Sequence, residues 1–344
     1  MMPAEWSPTE AVWLSWPVAP HLWEGVEREI VENEFVRLAE VIGRFATVRI
    51  SVCQEERDSV ASLLKNAEVF AIATDDVWCR DHGPTFLKSP KTGEVALVDW
   101  TYNAWGGKFA YEKDARVASA IGAQLALRTF ASKLVCEGGA LESNGAGRIL
   151  TTESVLLNPN RNPDWSKEEV TAELLAKLGA HEVIWLRAGL ENDDTDGHVD
   201  MVARFVGEQK VLAVEPATSN LVENWQKLED AGLEVVALPF VGEIAEGIEG
   251  SYANFLIVND GVVAPQYGLS TDSQALEIIS RAFPEKQVVG FDCRILGLEG
   301  GGAHCLTQGQ WAWQDVSQQV RSGVAAGARS CGCERASRTT RAPC

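Results

Sequence analysis

Four side chains with reactive or charged groups stand within three residues of a glycine along the sequence: Asp81, Glu137, His198 and Cys305. The segments that hold them, with a fifth at Ser251, are anchored at positions 81, 137, 198, 251 and 304 and lie 53 to 61 residues apart. A cysteine close to a histidine supports nucleophilic catalysis, because the imidazole moves protons while the thiolate attacks. These residue types predict a cysteine-dependent enzyme, provided that the fold brings them together.

The regular spacing indicates five copies of one structural unit. Each segment leads into a short apolar strand, and in four of them a turn and a second strand follow. The apolar period then changes from two to about 3.6, which is typical of a helix, and a further apolar strand comes after it. The predicted helices cover residues 26–45, 113–127, 166–178, 220–231 and 271–283. Each unit is therefore predicted to contain a hairpin, a helix and a strand.

The two ends of the chain complete the repeat. The fifth hairpin, at 306–309, lacks its second strand, and the apolar strand at 11–17 has no partner near it in the sequence. Pairing them closes a ring, so we predict an α/β fold in which the units form a five-bladed propeller. The start of each hairpin then faces the axis, where the four side chains converge. Asp200, two residues after His198 on the same strand, faces the axis too. The alternative is two α/β domains divided near 159–165.

Simpler explanations compete for the thiol and the imidazole. A lone cysteine is often a small buried hydrophobe, but the three glycines at 300–302 before Cys305 allow a close backbone approach that a core seldom requires. His198 fits a core histidine, or a metal ligand together with Asp196 and Asp200. The metal alternative is disfavoured because the sequence has no second histidine at ligand spacing.

The remaining polar residues also have structural alternatives. Asp81 follows Arg80 and fits an ion pair with it, and Glu137 precedes two glycines and fits a turn. Neighbouring residues on a strand alternate faces, so we predict structural roles for four residues beside the anchors: Cys79, His82, Cys136 and His304.

Composition and charge exclude several classes of protein. The chain has 344 residues, of which 46% are hydrophobic, and a formal net charge of −19. That much apolar material builds a sizeable core, and the negative charge disfavours nucleic acid and anionic membrane surfaces as partners. Residues 1–16 lack a basic segment and an apolar run, and no stretch of about 18 apolar residues occurs. We therefore expect a cytoplasmic protein.

The end of the sequence differs from the rest. Residues 316–344 hold five Arg, one Glu and few large apolar residues, so we predict a single catalytic domain in 1–315 and a disordered basic tail in 316–344. Five of the eight cysteines are scattered through the body, which is typical of free thiols. Cys331 and Cys333 in the tail are too few to predict a metal site.

Six motifs, in order along the chain, resemble those of the agmatine deiminase family, the bacterial peptidylarginine-deiminase-like branch of the guanidino-group-modifying enzymes. They are DVWCRDHGP at 76–84, NAWGG at 103–107, EGG at 137–139, LNPNRNP at 157–163, DTDGHVD at 194–200 and GGGAHCLTQ at 300–308. The resemblance extends from about Trp6 to Gln308. It implies the pentein fold, a five-bladed α/β propeller around a central active site, in agreement with the repeats.

The resemblance also implies roles for individual residues. It makes Cys305 the nucleophile, His198 the general acid/base, Glu137 the carboxylate paired with His198 and the reacting group, Asp81 and Asp200 the clamp on the guanidinium nitrogens, and Trp78 part of the substrate entrance. Many members have Asn and a branched residue where this chain has Gly302 and Ala303, a difference that bears on substrate fit.

The implied reaction is hydrolysis of agmatine to N-carbamoylputrescine and ammonia, a step of putrescine and polyamine synthesis. Two carboxylates suit this substrate because they bind a planar guanidinium in bidentate fashion and concentrate positive charge on its carbon. We expect a small cationic guanidino substrate, no metal or organic cofactor, and a homodimer. The alternatives are a deiminase of arginine or peptidyl-arginine, an amidinotransferase, and a catalytically silent propeller.

Overall fold

Eighteen strands form the framework of the protein in the computed structural model, which describes residues 1–18 and 22–313. In chain order they are β1 (Thr9–Ser15), β2 (Thr47–Val52), β3 (Ala67–Ala71), β4 (Thr85–Lys88), β5 (Val95–Thr101), β6 (Arg128–Val135), β7 (Glu142–Ser143), β8 (Arg148–Thr152), β9 (Glu182–Leu186), β10 (Ala203–Gly207), β11 (Lys210–Val214), β12 (Glu234–Leu238), β13 (Gly242–Ala245), β14 (Ile248–Gly250), β15 (Leu256–Val258), β16 (Gly261–Gln266), β17 (Gln287–Asp292) and β18 (Thr307–Trp311). The predicted tail at 316–344, with its three cysteines, lies outside the described residues.

Four sheets repeat one arrangement. In each, two strands pair antiparallel and a third runs parallel to the second, in the orders β4-β5-β6, β7-β8-β9, β10-β11-β12 and β15-β16-β17. A parallel neighbour requires a crossover, and a helix lies between the second and third strands of every one of these sheets. The mixed α/β sheets agree with the predicted units. The two-stranded sheet β13-β14 is an addition that the sequence did not predict.

The fifth large sheet joins the two ends of the described chain. β18 pairs antiparallel with β1, so that Trp13 lies opposite Gln308, and β2 runs parallel to β1. This is the pairing of 11–17 with 306–309 that the sequence predicted. β3 extends the sheet to four strands, following the helix Arg57–Leu63, and neither of these two elements was predicted.

The long helices cover the sheets and agree with the predicted ones to within a few residues. They are Arg28–Ile42, Val117–Gln124, Lys167–Leu178, Ser219–Asp230 and Asp272–Ala282. The second is shorter than predicted because its first turn, Asp114–Arg116, is a 3₁₀-helix. The helix Lys167–Leu178 shows why the ends of the helices could be predicted from the sequence. Ser166 and Glu169 form a capping box at its start, and Gly179 takes the left-handed conformation at its end.

Apolar faces of helices and sheets meet in continuous clusters. Lys167–Leu178 buries Val170, Leu174 and Leu178, spaced four residues apart, on one side. These side chains pack in a cluster with residues as early as Leu87, so the cluster crosses the 159–165 boundary of the two-domain alternative. No helix in residues 1–18 and 22–313 combines the length and hydropathy needed to cross a membrane.

Short helical turns stand where the sequence predicted the starts of strands: Asp81 lies inside one, and Glu137 and His198 each immediately precede one. Cys79–His82 is a one-turn α-helix, Gly138–Ala140 and Val199–Met201 are 3₁₀-helices, and the following strands begin at Thr85, Glu142 and Ala203. In particular, Asp200 is not on a strand with His198.

Candidate active site

Asp81 is held at the base of a cavity by two donors from other segments. It lies in the helix Cys79–His82 and is buried. Its Oδ1 accepts a hydrogen bond from the Gly139 backbone at 3.0 Å, and its Oδ2 accepts one from the Trp105 indole at 3.0 Å. Burial raises the pKa of Asp81, and the charges of Asp200 and Glu137 act in the same direction, partly opposed by His198.

Gly139 marks the point where three of the predicted residues meet. A Cβ atom at this position would lie 2.5 Å from His198 Nδ1, 2.8 Å from Asp81 Oδ1 and 3.2 Å from Asp200 Oδ2. These distances leave no room for a side chain. The EGG motif therefore carries glycine at 139 because an imidazole and two carboxylates approach its backbone closely.

Glu137 and His198 form a second pair beside this point. Glu137 Oε2 lies 3.5 Å from His198 Nε2, while Glu137 Oε1 accepts a 2.7 Å hydrogen bond from Arg161 Nε. Burial alone would lower the pKa of His198, but the carboxylates of Asp81 and Glu137 raise it to about 9. Against the effect of burial, His198 and Arg161 hold the pKa of Glu137 below its ordinary value. At neutral pH this pair is an imidazolium and a carboxylate.

Asp200 is anchored through one oxygen, and its other oxygen has no hydrogen bond from the described residues. Its Oδ2 lies 2.6 Å from His304 Nδ1 and receives a 3.3 Å hydrogen bond from Asn254 Nδ2. Within the described chain, its buried Oδ1 has no hydrogen-bond partner. Burial would raise the pKa of Asp200, but His304 holds it below its ordinary value. Asp200 is therefore ionised at neutral pH and has one acceptor oxygen to spare.

Cys305 lies beside Asp200 and lines the cavity. Its Sγ is 3.5 Å from Asp200 Oδ2 and 2.9 Å from Asn254 Nδ2. Burial, followed by the negative charges of Asp200 and Asp81, raises the pKa of the Cys305 thiol well above its ordinary value. The thiol is thus protonated at neutral pH in the free site.

The cavity above these residues has a volume of about 180 Å³. Its described lining includes the aromatic rings Trp78, Trp105 and Phe109 and has six acidic side chains but no Lys or Arg. The six are Asp76, Asp81, Asp193, Asp194, Glu249 and Glu299. Trp78 packs directly against the Cα of Gly301, so this glycine lets the indole lie beside the Cys305 segment. The lining favours a cationic ligand with an apolar stem.

The alternatives for Asp81 and Asp196 disagree with the observed ion pairs, whereas Glu137 does begin a turn, as its structural alternative predicted. Arg80 donates to Glu5 at 2.8 Å rather than to Asp81. Asp196 binds Arg161 Nη1 at 2.5 Å and Lys108 at 2.9 Å, so its carboxylate is committed away from His198. In the described residues no group of three His, Cys, Asp or Glu has a metal-binding arrangement.

The structural role predicted for His304 needs correction, because this side chain contacts the site. Its Nδ1 binds Asp200, and its Nε2 lies 2.9 Å from Glu5 Oε1. The prediction assumed the alternating faces of a strand, but residues 303–306 form a turn, where that rule does not apply. His304 therefore joins Asp200 to Glu5 and fixes the position of the Asp200 carboxylate.

The other three neighbours lie among structural partners. His82 binds Asp114 at 3.0 Å through Nδ1 and Ser15 at 3.0 Å through Nε2. Cys79 and Cys136 are buried, and Cys136 donates to the Glu137 carbonyl at 3.5 Å.

Three residues at the site received no predicted role: Trp105, Arg161 and Asn254. The first two lie in the NAWGG and LNPNRNP motifs, so the motifs themselves were the available signal. Trp105 donates from a loop in which residues 104–107 all have positive φ. Their partners come from distant segments, so spacing in the sequence did not reveal them. Asn254 lies in the fourth repeat, three residues after its anchor Ser251, for which the sequence predicted no catalytic role.

The arrangement suits a planar cation with several N–H groups. Asp200 Oδ1 and Glu137 Oε2 are buried acceptors without a hydrogen bond from the described residues, and the ring nitrogens of His198 lie 3.5–3.6 Å from Glu137 and Asp81 without a hydrogen bond. Leaving such groups unpaired costs free energy, which a ligand with matching donors recovers. A thiol close by can attack the carbon of such a ligand, and an imidazolium can protonate its leaving nitrogen.

Comparison with known proteins supports this chemistry. Residues 1–310 match the Porphyromonas-type peptidyl-arginine deiminase family. The agmatine deiminase of Ectopseudomonas mendocina is 36% identical, over 91% of this chain and 96% of the relative. A solved structure of the Enterococcus faecalis agmatine deiminase is 32% identical, with a TM-score of 0.83 over 90% of this chain and 95% of that one. A dimethylarginine dimethylaminohydrolase, 13% identical with a TM-score of 0.53, shares the fold. The chain therefore belongs to the Porphyromonas-type peptidyl-arginine deiminase family, as its six motifs predicted.

Proposed function

We propose that the protein is an agmatine deiminase, which hydrolyses agmatine to N-carbamoylputrescine and ammonia. The observation that carries this proposal is a pair of buried carboxylate oxygens in the same site as the Cys305 thiol: Asp200 Oδ1, which has no hydrogen-bond partner among the described residues, and Glu137 Oε2, which accepts no hydrogen bond from them and lies 3.5 Å from His198 Nε2. Relatives named agmatine deiminases, 35% and 36% identical over about nine-tenths of the chain, support it.

Substrate binding is the first step of the proposed mechanism. Asp81 and Asp200 accept hydrogen bonds from the guanidinium nitrogens and fix its plane, while Trp78 flanks the stem of the substrate at the entrance. The bound cation counteracts the negative charges that raise the pKa of Cys305, so the thiol loses its proton to water as the substrate enters.

The thiolate then attacks the guanidinium carbon, and a neutral tetrahedral adduct forms. His198, protonated at neutral pH because its pKa is about 9, gives its proton to the departing nitrogen, and Glu137 holds the imidazole during this transfer. Ammonia leaves, and a positively charged thiouronium remains covalently attached to Cys305.

Hydrolysis of this intermediate restores the enzyme. Neutral His198 takes a proton from water, and the resulting hydroxide adds to the thiouronium carbon. The second tetrahedral adduct expels the Cys305 thiolate and passes one proton to solvent, which leaves N-carbamoylputrescine with its ureido group.

The acidic lining favours agmatine over arginine. An α-carboxylate would lie among Asp193, Asp194 and Glu299 with no Lys or Arg in the described lining to balance it, whereas a free amine meets opposite charge. Peptidyl-arginine is also disfavoured relative to agmatine, because its peptide backbone carries no positive charge to meet these carboxylates.

We also propose how the protein is organised. The five sheets act as blades of one propeller, with residues 1–315 as a single catalytic domain around the axis. We place the enzyme in the cytoplasm and in putrescine synthesis, because N-carbamoylputrescine is one hydrolysis away from putrescine. The homodimer stays a prediction, which sedimentation equilibrium would check.

The proposal is tested by measuring ammonia release from agmatine, arginine and blocked peptidyl-arginine, with each product identified by mass. We expect kcat/KM to be highest for agmatine. A preference for either arginine substrate would refute the choice of substrate, and no turnover of any of the three would refute the reaction.

A further inference from the structure

The side-chain amide of Asn254 joins the nucleophile to its own backbone segment. Asn254 is fully buried, and its Nδ2 lies 2.9 Å from Cys305 Sγ. Its Oδ1 accepts hydrogen bonds from the backbone nitrogens of Gly302, at 2.9 Å, and Cys305, at 3.1 Å. One amide therefore contacts both ends of the segment that carries the reacting sulfur.

The two backbone donors fix the orientation of the amide. A backbone N–H donates only to an acceptor, so Oδ1 must face Gly302 and Cys305. The NH₂ group is then turned toward the sulfur, as well as toward Asp200 Oδ2 at 3.3 Å. The segment is also bound from the other side, because the Asn254 carbonyl accepts from the His304 backbone at 3.3 Å.

The hydrogen bond from Asn254 Nδ2 to Cys305 Sγ stabilises the thiolate and so lowers the pKa of Cys305. Burial and the carboxylates of Asp200 and Asp81 raise the pKa of Cys305, and the Asn254 hydrogen bond acts in the opposite direction. In the part of the chain that the structure describes, Asn254 is the side chain that donates to Sγ. A donor bonds more strongly to the anionic sulfur than to the thiol, so it favours the reactive form.

Gly302 makes room for this amide. A Cβ atom at position 302 would lie 2.9 Å from Asn254 Oδ1 and 3.3 Å from Asn254 Cβ. The close packing of Asn254 on the Cys305 segment therefore depends on the absence of a side chain at position 302.

We propose that Asn254 is a catalytic residue that stabilises the Cys305 thiolate by donating from Nδ2 while Oδ1 fixes the segment 302–305. The inference rests on the proposed function in taking Cys305 as the nucleophile. It does not depend on which guanidino compound is the substrate.

The test is the pH dependence of Cys305 alkylation by iodoacetamide in the substrate-free enzyme, followed from pH 7 to 11 by mass spectrometry of the peptide that contains Cys305. Asn254→Asp keeps the oxygen that accepts from the backbone but replaces the donor to sulfur with a second acceptor. We expect its alkylation profile to move up by at least one pH unit, so that alkylation on the acidic side of the profile is at least about tenfold slower.

Two variants separate this effect from general ones. Asn192→Asp adds the same charge at the cavity mouth, where no hydrogen bond to Cys305 is made, and should move the profile much less. Gly302→Ala displaces the Asn254 amide without changing it and should move the profile in the same direction as Asn254→Asp. If Asn254→Asp does not fold, Gly302→Ala decides.

The proposal is overturned if folded Asn254→Asp has the wild-type profile, or if Asn192→Asp shifts the profile equally. Because the aspartate also brings a negative charge close to Sγ, the uncharged variant Gly302→Ala has to shift the profile in the same direction, and a wild-type profile in folded Gly302→Ala likewise overturns the proposal. Failure of the wild-type enzyme to release ammonia from agmatine would refute the proposed function alone, since alkylation needs no substrate.

Discussion

The replacement Gly139→Ala tests whether the meeting point of His198, Asp81 and Asp200 is the centre of catalysis. Gly139 is not among the glycines with positive φ, so alanine meets no backbone obstacle there. The effect of the substitution is then steric. Ordinary Cβ contacts lie at 3.4–4.0 Å, whereas the added methyl would start at 2.5 Å from His198 Nδ1 and 2.8 Å from Asp81 Oδ1.

The size of the expected effect follows from these distances. The imidazole has to withdraw by about 0.9 Å and the Asp81 carboxylate by about 0.6 Å to reach ordinary contact. Displacing a catalytic group by about 1 Å costs on the order of a hundredfold in rate, or about 2.7 kcal/mol of transition-state stabilisation. We expect kcat/KM for agmatine to fall by about that factor.

The assay is steady-state ammonia release, with near-ultraviolet circular dichroism and thermal unfolding to establish that the variant is folded. Gly207→Ala is the matched control, because a Cβ there meets only Lys210 Cβ at 3.7 Å, an ordinary contact. It should keep activity within about twofold of the wild type. Folded Gly139→Ala with near-wild-type kcat/KM would show that the geometry around position 139 does not govern the reaction.

Three further predictions concern individual charges. Cys305→Ser should abolish turnover while the protein stays folded, because a serine hydroxyl supplies no accessible anion at neutral pH; ammonia release above background would contradict this. Asp81→Asn and Asp200→Asn should each lower kcat/KM at least about tenfold, since each loses a charge-assisted hydrogen bond of roughly 1.5–3 kcal/mol; unchanged kinetics in both would exclude the clamp. Burial alone would lower the pKa of His82, but Asp114 raises it to about 10. The stability that this ion pair contributes is therefore complete below about pH 6.5 and is lost as pH rises through about 10. In urea unfolding at pH 6, 8 and 10, the free energy of unfolding should fall less with rising pH for His82→Asn than for the wild type.

The repeat was predictable because local pattern determines it. Helices such as Lys167–Leu178 carry both an apolar stripe and capping residues, and the strands between them are short apolar runs bounded by turns. The pairing of β1 with β18 was accessible for a different reason. Each end of the chain offered one strand without a local partner, so the missing pair could be inferred.

The anchor turns were mispredicted because short helical turns leave little periodic signal. A segment of three or four residues, such as Val199–Met201, does not complete enough turns to distinguish a period of 3.6 from one of two. This error affected the prediction for His304, because alternation of side chains along a strand would have turned its imidazole away from the site. The supporting contacts of Trp105, Arg161 and Asn254 join segments tens of residues apart, and only the fold brings such partners together.

The carboxylates of Glu137 and Asp200 link ligand binding to the stability of the fold, because each has one oxygen that accepts no hydrogen bond from the described residues. Each holds one oxygen in a protein hydrogen bond, as Glu137 does to Arg161 and Asp200 to His304. Of the other two oxygens, Asp200 Oδ1 has no hydrogen-bond partner among the described residues, and Glu137 Oε2 lies 3.5 Å from His198 Nε2 without a hydrogen bond. Burying an acceptor without a donor costs about 1–3 kcal/mol, so the free site is destabilising and a guanidinium removes that cost.

A guanidinium ligand should therefore stabilise the folded protein more than an amine of the same chain length. In Cys305→Ser, which does not consume substrate, agmatine at about 100 times its dissociation constant should raise the free energy of unfolding by about 2.7 kcal/mol. Putrescine at the same concentration carries the distal amine, but in place of the planar guanidinium it has a compact ammonium with fewer N–H donors, so it should give a smaller shift in thermal unfolding. Equal shifts for the two ligands would mean that the acidic mouth, rather than the buried acceptors, accounts for binding. Recognition would then have to be assigned to Asp193, Asp194 and the other carboxylates of the entrance.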